Sequence, residues 1–308
     1  MPTRKGILLI GGSGFLGLAL ARALARAGRE VHVLSRNTQP GKAEGISFHR
    51  GSQDDSDIVL PLLRACDTVV HLASTTTPGS SARKPVLDAE ENLLPAIRLM
   101  EIISGAPPSR LVFVSSGGSI YGNAVQMPVD ETAQTQPLSY HAAGKLALES
   151  LFGVFAHPNK VSLTIVRPSN LYGPGQRLRH GFGLIRTLLD RALHGKPIEV
   201  WGDGNALRDY IYIDDAVAAC LSLFEPESPA RTFNLGSGTG TSIREIIEMV
   251  EKVTGRQTPL LVRQARDTDV RAIILDSNRL QAATGWTPRV GLEEGTSSTW
   301  AWLRQADL

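Results

Sequence analysis

Cysteine is nearly absent from this chain: Cys66 and Cys220 are the only two in 308 residues. Both lie in apolar stretches, "RACDTVV" and "VAACLSLF", so they read as buried thiols of a reducing cytoplasm rather than as a disulfide. No cysteine pair completes a zinc site and the seven histidines show no metal-ligand spacing, so no metal centre is expected. An excess of charge of one sign is also missing. The 32 basic side chains oppose 30 acidic ones for a net +2, with no basic tail or block. Nucleic acid and membrane surfaces are therefore not the expected partners. No uninterrupted apolar run reaches the ~18 residues that a bilayer span needs. There is no internal repeat and no low-complexity tract.

What remains is an ordinary globular mixture, 42% hydrophobic and 20% charged. Its length allows one large α/β domain or two unequal lobes. The start, "MPTRKGILLIGGSGFLGLALARALA", imitates a secretory signal, but Gly11, Gly12, Ser13 and Gly14 interrupt its apolar run. It reads instead as a strand, a glycine turn and a helix, and a cytoplasmic location is expected.

Apolar "ILLIG" is a short buried strand, "FLGLALARALARAG" a helix stopped by Gly28, and "EVHVLSR" the next strand. That is one strand–helix–strand unit of about 30 residues, the size of a right-handed crossover in a parallel sheet. "DTVVHLAS", "RLVFVSS" and "SLTIVRPS" supply further strands, with helices across 88–104 and from near His141. The alternation predicts a Rossmann-like doubly wound parallel sheet over residues 1–170. From about Leu171, Arg, Gly and Pro become frequent and strands shorten. Residues 171–308 are expected to form a smaller substrate-binding lobe, interleaved with the last elements of the sheet. Its helix "SIREIIEMVEKVTG" is capped by Ser242 and ended by Gly255.

"GGSGFLG" places Gly11, Gly14 and Gly17 between a strand and a helix. The first allows a sharp turn, the second lets backbone approach a pyrophosphate, and the third lets helix pack on strand. The helix start, with Phe15 and Leu16, offers N–H groups and positive dipole to phosphates. At the end of the second strand, where a carboxylate usually receives the ribose of NAD, stand Ser35 and Arg36. This pair suits a 2′-phosphate, so the cofactor is NAD or NADP with NADP favoured.

Together with "DTVVHLAS", Asn92 in "ENLLPAI", "FVSSGGSIYGN", "KLALE", "VRPSNLYGPGQ", "GDGNALRDYIYIDDA", "FNLGSG" and "GWTP", these residues resemble the extended short-chain dehydrogenase/reductase family of nucleotide-sugar epimerases, dehydratases and reductases. The likeness runs nearly end to end. It implies a bound nicotinamide cofactor, a nucleotide sugar (most simply a UDP-sugar) in the C-terminal lobe, and a homodimer. The dimer would pair the helices 88–104 and 141–156, the second bringing Ala142, Leu146, Phe152 and Phe155. The resemblance places Leu72, Ala73, Asn92 and Pro168 along the cofactor cleft and Asn170 toward the substrate phosphates. Arg208 and Arg266 match the arginines that clamp the diphosphate, a task suited to forked guanidinium donors. Salt bridges to Asp209 and Asp267 are the plainer alternative. Arg177, Arg179 and His180 either add charge at the substrate mouth or form a solvated loop.

The family's acid/base is a tyrosine one helical turn before a lysine. Here Lys145 fits by its "KLALE" context, but one turn before it stands His141, with Tyr140 a residue further. At ~100° per residue, Tyr140 and Lys145 diverge by about 140° around a regular helix. Both candidates stay open. Tyr140 is ranked first, on the premise that it precedes the helix and is free to reorient. The family's hydroxyl position holds Gly117, leaving Ser116 and Ser119 as candidates. Ser119 is preferred because it is expected to share a strand face with Tyr121. Gly118 and Ser119 stand where dehydratases place an acidic pair, which disfavours dehydration. C4 epimerisation through a transient keto sugar is the leading expectation, followed by 4-keto-sugar reduction by NADPH and then by a non-catalytic cofactor-binding role.

Overall fold

The computed structural model describes residues 6–37, 41–179, 181–224, 231–264 and 270–306. The first half alternates strand and helix: β1 (Gly6–Ile10), α1 (Phe15–Arg26), β2 (Val31–Ser35), β3 (Gly41–Ala43), β4 (Ile46–Arg50), α2 (Ser56–Ala65) and β5 (Cys66–His71). A helical stretch then opens as α3 (Pro85–Asp88), passes through a π-helical turn over Ala89–Leu93 and continues as α4 (Leu94–Ser104). After it come β6 (Arg110–Val114), the one-turn α5 (Gly117–Ile120), α6 (Tyr140–Asn159) and β7 (Ser162–Pro168). These strands, with β11 below, form an eight-stranded sheet in the order β11-β7-β6-β5-β1-β2-β4-β3. Seven of them run parallel, and β3 is antiparallel to β4.

The sheet is covered on both faces because its strands are apolar on both. In β1, Ile7 and Leu9 enter one core with Leu20 and Leu24 of α1. Leu8 and Ile10 enter the other, with Leu63 of α2, Leu99 of α4 and Phe152 of α6. Near-continuous apolar runs are the mark of strands buried on both sides.

The second half contributes β8 (Asn170–Tyr172), α7 (Leu184–His194), β9 (Ile198–Trp201), β10 (Leu207–Tyr212), α8 (Ile213–Ser222), β11 (Thr232–Leu235), β12 (Gly240–Ser242), α9 (Ile243–Thr254), β13 (Leu260–Arg263), β14 (Ala272–Ile273), α10 (Asn278–Thr284) and α11 (Leu292–Ala306). β11 returns to the main sheet beside β7, while β8, β10, β12 and β14 form a small mixed sheet. The expected capping box of α9 is present: Ser242 and Glu245 exchange hydrogen bonds, and Gly255 ends the helix at φ 67°.

Three expectations need correction. β6 ends at Val114, so Ser119 lies on the short helix α5, not on a strand face with Tyr121. Ser139 is the N-cap of α6, its side chain accepting from Ala142 N, and Tyr140 is already the first helical residue. Tyr140 is therefore not the extra-helical residue that its ranking assumed. Ala142, Phe152 and Phe155 are consumed by the protein's own cores, with only Leu146 half-buried. They leave no surplus apolar surface for a partner.

Candidate active site

Of the residues expected along the cofactor cleft, Leu72, Ala73 and Pro168 sit at the C-terminal end of a parallel strand or just beyond it, where ligands of open α/β sheets bind, whereas Asn92 lies in the π-helical turn. Gly11 follows β1 at φ 78°, and a Cβ there would lie 2.6 Å from the Ala73 backbone, so only glycine lets the β1 and β5 ends approach this closely. Gly17 does the same for α1, where a Cβ would meet Gly12 at 2.6 Å. Gly14 is the exposed N-cap of α1, without a side-chain cap, and a Cβ there would find nothing nearer than Gly11 O at 3.4 Å. The cradle thus leaves the first amides of α1, those of Phe15 and Leu16, facing an anion and fits a dinucleotide pyrophosphate. Leu72 is tied to β1 by its amide to Ile10 O, 2.8 Å, and Pro168 closes β7, buried.

At the β2 end, Ser13 Oγ donates to Ser35 Oγ at 2.6 Å. Arg36 is exposed and paired: its Nη2 donates to Thr75 Oγ1 at 2.9 Å and to Glu91 Oε2 at 3.1 Å. A carboxylate therefore does face Arg36, supplied by the π-turn rather than by β2, where a ribose carboxylate is usually found. A 2′-phosphate would have to compete with Glu91 for the guanidinium.

Beyond β5 lies a buried polar cluster. Asn92, in the π-turn, accepts from Thr75 N through Oδ1 at 2.8 Å and donates through Nδ2 to Thr76 Oγ1 at 2.8 Å and Asp88 Oδ1 at 2.9 Å. Thr76 Oγ1 in turn donates to Asp88 Oδ1 and lies 3.1 Å from His141 Nδ1. His141 and Lys145, one turn apart on α6, are both buried. Lys145 Nζ donates to Val114 O, the last carbonyl of β6, at 2.9 Å. Burial lowers the Lys145 pKa to about 8 against the opposing pull of Asp88 and Glu149. Burial, then the Lys145 charge, lowers that of His141 to about 4, so the imidazole is neutral near pH 7. Tyr140, by contrast, is 47% exposed. Ser119 Oγ donates to Ser116 Oγ at 2.8 Å, and both are half-buried beside the β6 end.

On the substrate side, Asn170 Nδ2 donates to Asp209 O at 2.9 Å, which orders β8 against β10. Arg208 is half-buried, with Nη1 donating to Leu207 O at 2.9 Å. Asp209 does not serve as its surface partner. It is fully buried and accepts from Ser237 N, Ser237 Oγ and Leu275 N. Arg177 and Arg179 are exposed. Arg266 and His180 lie outside the described residues. Thr76 and Asp88 were not singled out in the sequence. The available signal was an aspartate one turn before Asn92, which helix spacing puts on the same face.

A sequence model of the NAD dependent epimerase/dehydratase family matches residues 7–236. The chain belongs to that family. A UDP-glucose 4-epimerase of Mycolicibacterium smegmatis is 30% identical over 307 residues, covering 96% of this chain and 98% of its own. A dTDP-4-dehydro-6-deoxyglucose reductase of Escherichia coli is 29% identical over 308 residues, covering 96% of each. Among solved structures, a UDP-glucose 4-epimerase of Thermotoga maritima with UDP-glucose superimposes with TM-score 0.91 at 31% identity, over 98% of this chain and 100% of that one. A UDP-glucose 4-epimerase of Thermus thermophilus in complex with NAD does so with TM-score 0.89 at 32% identity, over 98% and 99%. The family member described here is an NAD(P)-dependent nucleotide-sugar epimerase/oxidoreductase. No helix among its described residues is long and apolar enough to cross a membrane.

Proposed function

We propose that this enzyme interconverts C4 epimers of a UDP-sugar through a transient 4-keto sugar, with His141 as the acid/base. The observation that carries the reading is the pairing of His141 with Lys145, one turn apart and both buried on α6. The relatives that bind or act on UDP-glucose support the choice of nucleotide and carbon.

A bound nicotinamide would supply the hydride acceptor and donor for C4. The chain's own part is proton handling, charge and positioning. His141, neutral at pH 7, accepts the C4 hydroxyl proton and gives it back after the keto sugar has turned over. The Lys145 cation disfavours a long-lived imidazolium, so the proton is returned rather than kept. Ser116 and Ser119 offer hydroxyls to the developing oxyanion. Arg208 and Arg266 hold the diphosphate, and Asn170 orders the floor beneath it. Gly118 and Ser119 supply no carboxylic acid to expel water, in keeping with epimerisation rather than dehydration.

A second reading, reduction of a 4-keto sugar, has the Escherichia coli relative in its favour. We further propose a homodimer across α4 and α6. Its apolar contacts would be the outward Leu94, 42% exposed, and Val154, 73% exposed, rather than the buried residues first expected. Incubating the purified enzyme with UDP-, dTDP- and GDP-sugars and following products by NMR tests the function. The proposal expects the C4 epimer of a UDP-sugar with no net change in nicotinamide redox state. Stoichiometric NADPH consumption would establish the reductase instead. Retained cofactor without turnover would leave a binding protein.

A further inference from the structure

We infer that Thr76 and Asp88 are positioning residues that fix the tautomer and the ring orientation of His141 through a carboxylate–hydroxyl–imidazole relay. The inference rests on the proposed role of His141 but is argued from the polar cluster alone.

Each proton in that cluster is determined by the one before it. The Thr75 backbone N–H can only donate, so the Asn92 atom 2.8 Å away must be its carbonyl oxygen. Asn92 Nδ2 then faces Thr76 Oγ1 at 2.8 Å and Asp88 Oδ1 at 2.9 Å as a donor to both. Thr76 Oγ1 donates directly to Asp88 Oδ1. The single hydroxyl proton of Thr76 is therefore spent on Asp88. Toward His141 Nδ1, 3.1 Å away, Thr76 can only accept. His141 must carry its proton on Nδ1, which leaves the Nε2 lone pair as the ring's basic site. An acid/base residue needs that state, and burial keeps the ring from being protonated by solvent.

The fold makes room for this arrangement. Asp88 Oδ2 occupies the space that a side chain at position 144 would fill, since a Cβ on Gly144 would collide with it. Glycine inside a helix is disfavoured relative to alanine, so its place between His141 and Lys145 is explained by the carboxylate it admits. The charged and titratable groups facing His141 are Asp88 on α3, with Nδ1 to Oδ1 at 4.0 Å, and Lys145 on its own helix. Ser81 Oγ accepts the His141 backbone N–H at 3.2 Å and holds the helix start against the β5 loop. In a family whose acid/base position is usually tyrosine, a histidine has two nitrogens and needs one of them committed. The relay supplies that commitment.

The test is long-range 1H–15N spectroscopy of the full-length enzyme labelled with 15N-histidine at pH 7.5, with the His141 signals assigned by their loss in His141→Gln. The wild-type ring is expected as the Nδ1–H tautomer. Thr76→Val removes only the hydroxyl and should give a mixed tautomer. It should also lower kcat about ten- to a hundredfold with KM for the nucleotide sugar unchanged, and Thr76→Ser should restore both. An Nε2–H or doubly protonated ring in the wild type overturns the inference, whether or not the variants fold. So does a Thr76→Val enzyme with unaltered tautomer and kcat. The two failures are separable, because the wild-type tautomer is read without any turnover.

Discussion

Replacing Gly144 by alanine sets a gain in helix propensity against a loss in packing and hydrogen bonding. Alanine is better than glycine in a helix interior by about 1 kcal/mol, and Gly144 lies well inside α6. Against this, the new methyl would occupy the position of Asp88 Oδ2. Asp88 cannot simply swing aside, because its Oδ1 is held by both Thr76 and Asn92. Weakening hydrogen bonds to a buried charged group costs about 1.5–3 kcal/mol, and overpacking about 1–3 kcal/mol where the neighbours do not yield. Together these costs exceed the propensity gain, and a net destabilisation of about 1.5–5 kcal/mol is expected. Urea unfolding followed by tryptophan fluorescence would report it as a lower midpoint with unchanged slope. Gly144→Ala with a raised midpoint and full turnover would refute the reasoning, because it would mean that Asp88 has room to move and that His141 does not depend on it.

Further outcomes follow from the same structure. Arg208→Ala should weaken UDP binding by about ten- to a hundredfold in calorimetry with cofactor binding untouched, the cost of one charge-assisted phosphate contact; unchanged UDP affinity would remove Arg208 from the diphosphate site. Glu91→Gln should release Arg36 and raise the affinity for NADP relative to NAD, with Ser35→Asp moving the ratio the other way; titration of both cofactors reads the ratio, and two identical ratios would contradict the pairing. His71 and His141 are held neutral by burial, with pKa values of about 3 and about 4. Between those values and about 6.5 the unfolded chain binds the extra protons, so stability falls as pH drops through this window, by about 5 kcal/mol for His71 and about 3 kcal/mol for His141. His71→Leu should flatten the loss between pH 6.5 and 4 in urea titrations, and an unchanged pH slope would oppose the assignment.

The parallel sheet and the glycine cradle were legible because their signals are local. Apolar runs, a helix stop at Gly28 and three glycines between strand and helix each constrain a few adjacent residues. β4 and α2 were not legible. "ISFHR" is short and ends in a histidine and an arginine, and Pro61 inside α2 breaks the helical pattern on paper. The Arg167–Glu149 pair, 2.6 Å across α6 and β7, joins residues 18 apart, and no sequence spacing announces it. The start of α6 turned on one residue: a serine before Tyr140 reads equally as loop or N-cap, and only its bond from Ala142 N decides. Thr76 and Asp88 matter only because the β5 loop brings a hydroxyl between a carboxylate and an imidazole, a tertiary coincidence with no linear period.

The claim that His141 has taken the acid/base position is tested most directly by comparing Tyr140→Phe with His141→Ala on the UDP-sugar that the enzyme converts, each checked for retained cofactor. The buried pairing of His141 with Lys145 predicts that Tyr140→Phe keeps turnover within a few-fold, while His141→Ala loses about a hundredfold or more in kcat, as expected for a lost general base. Loss of turnover in Tyr140→Phe with His141→Ala near wild type would contradict it and return the role to the tyrosine.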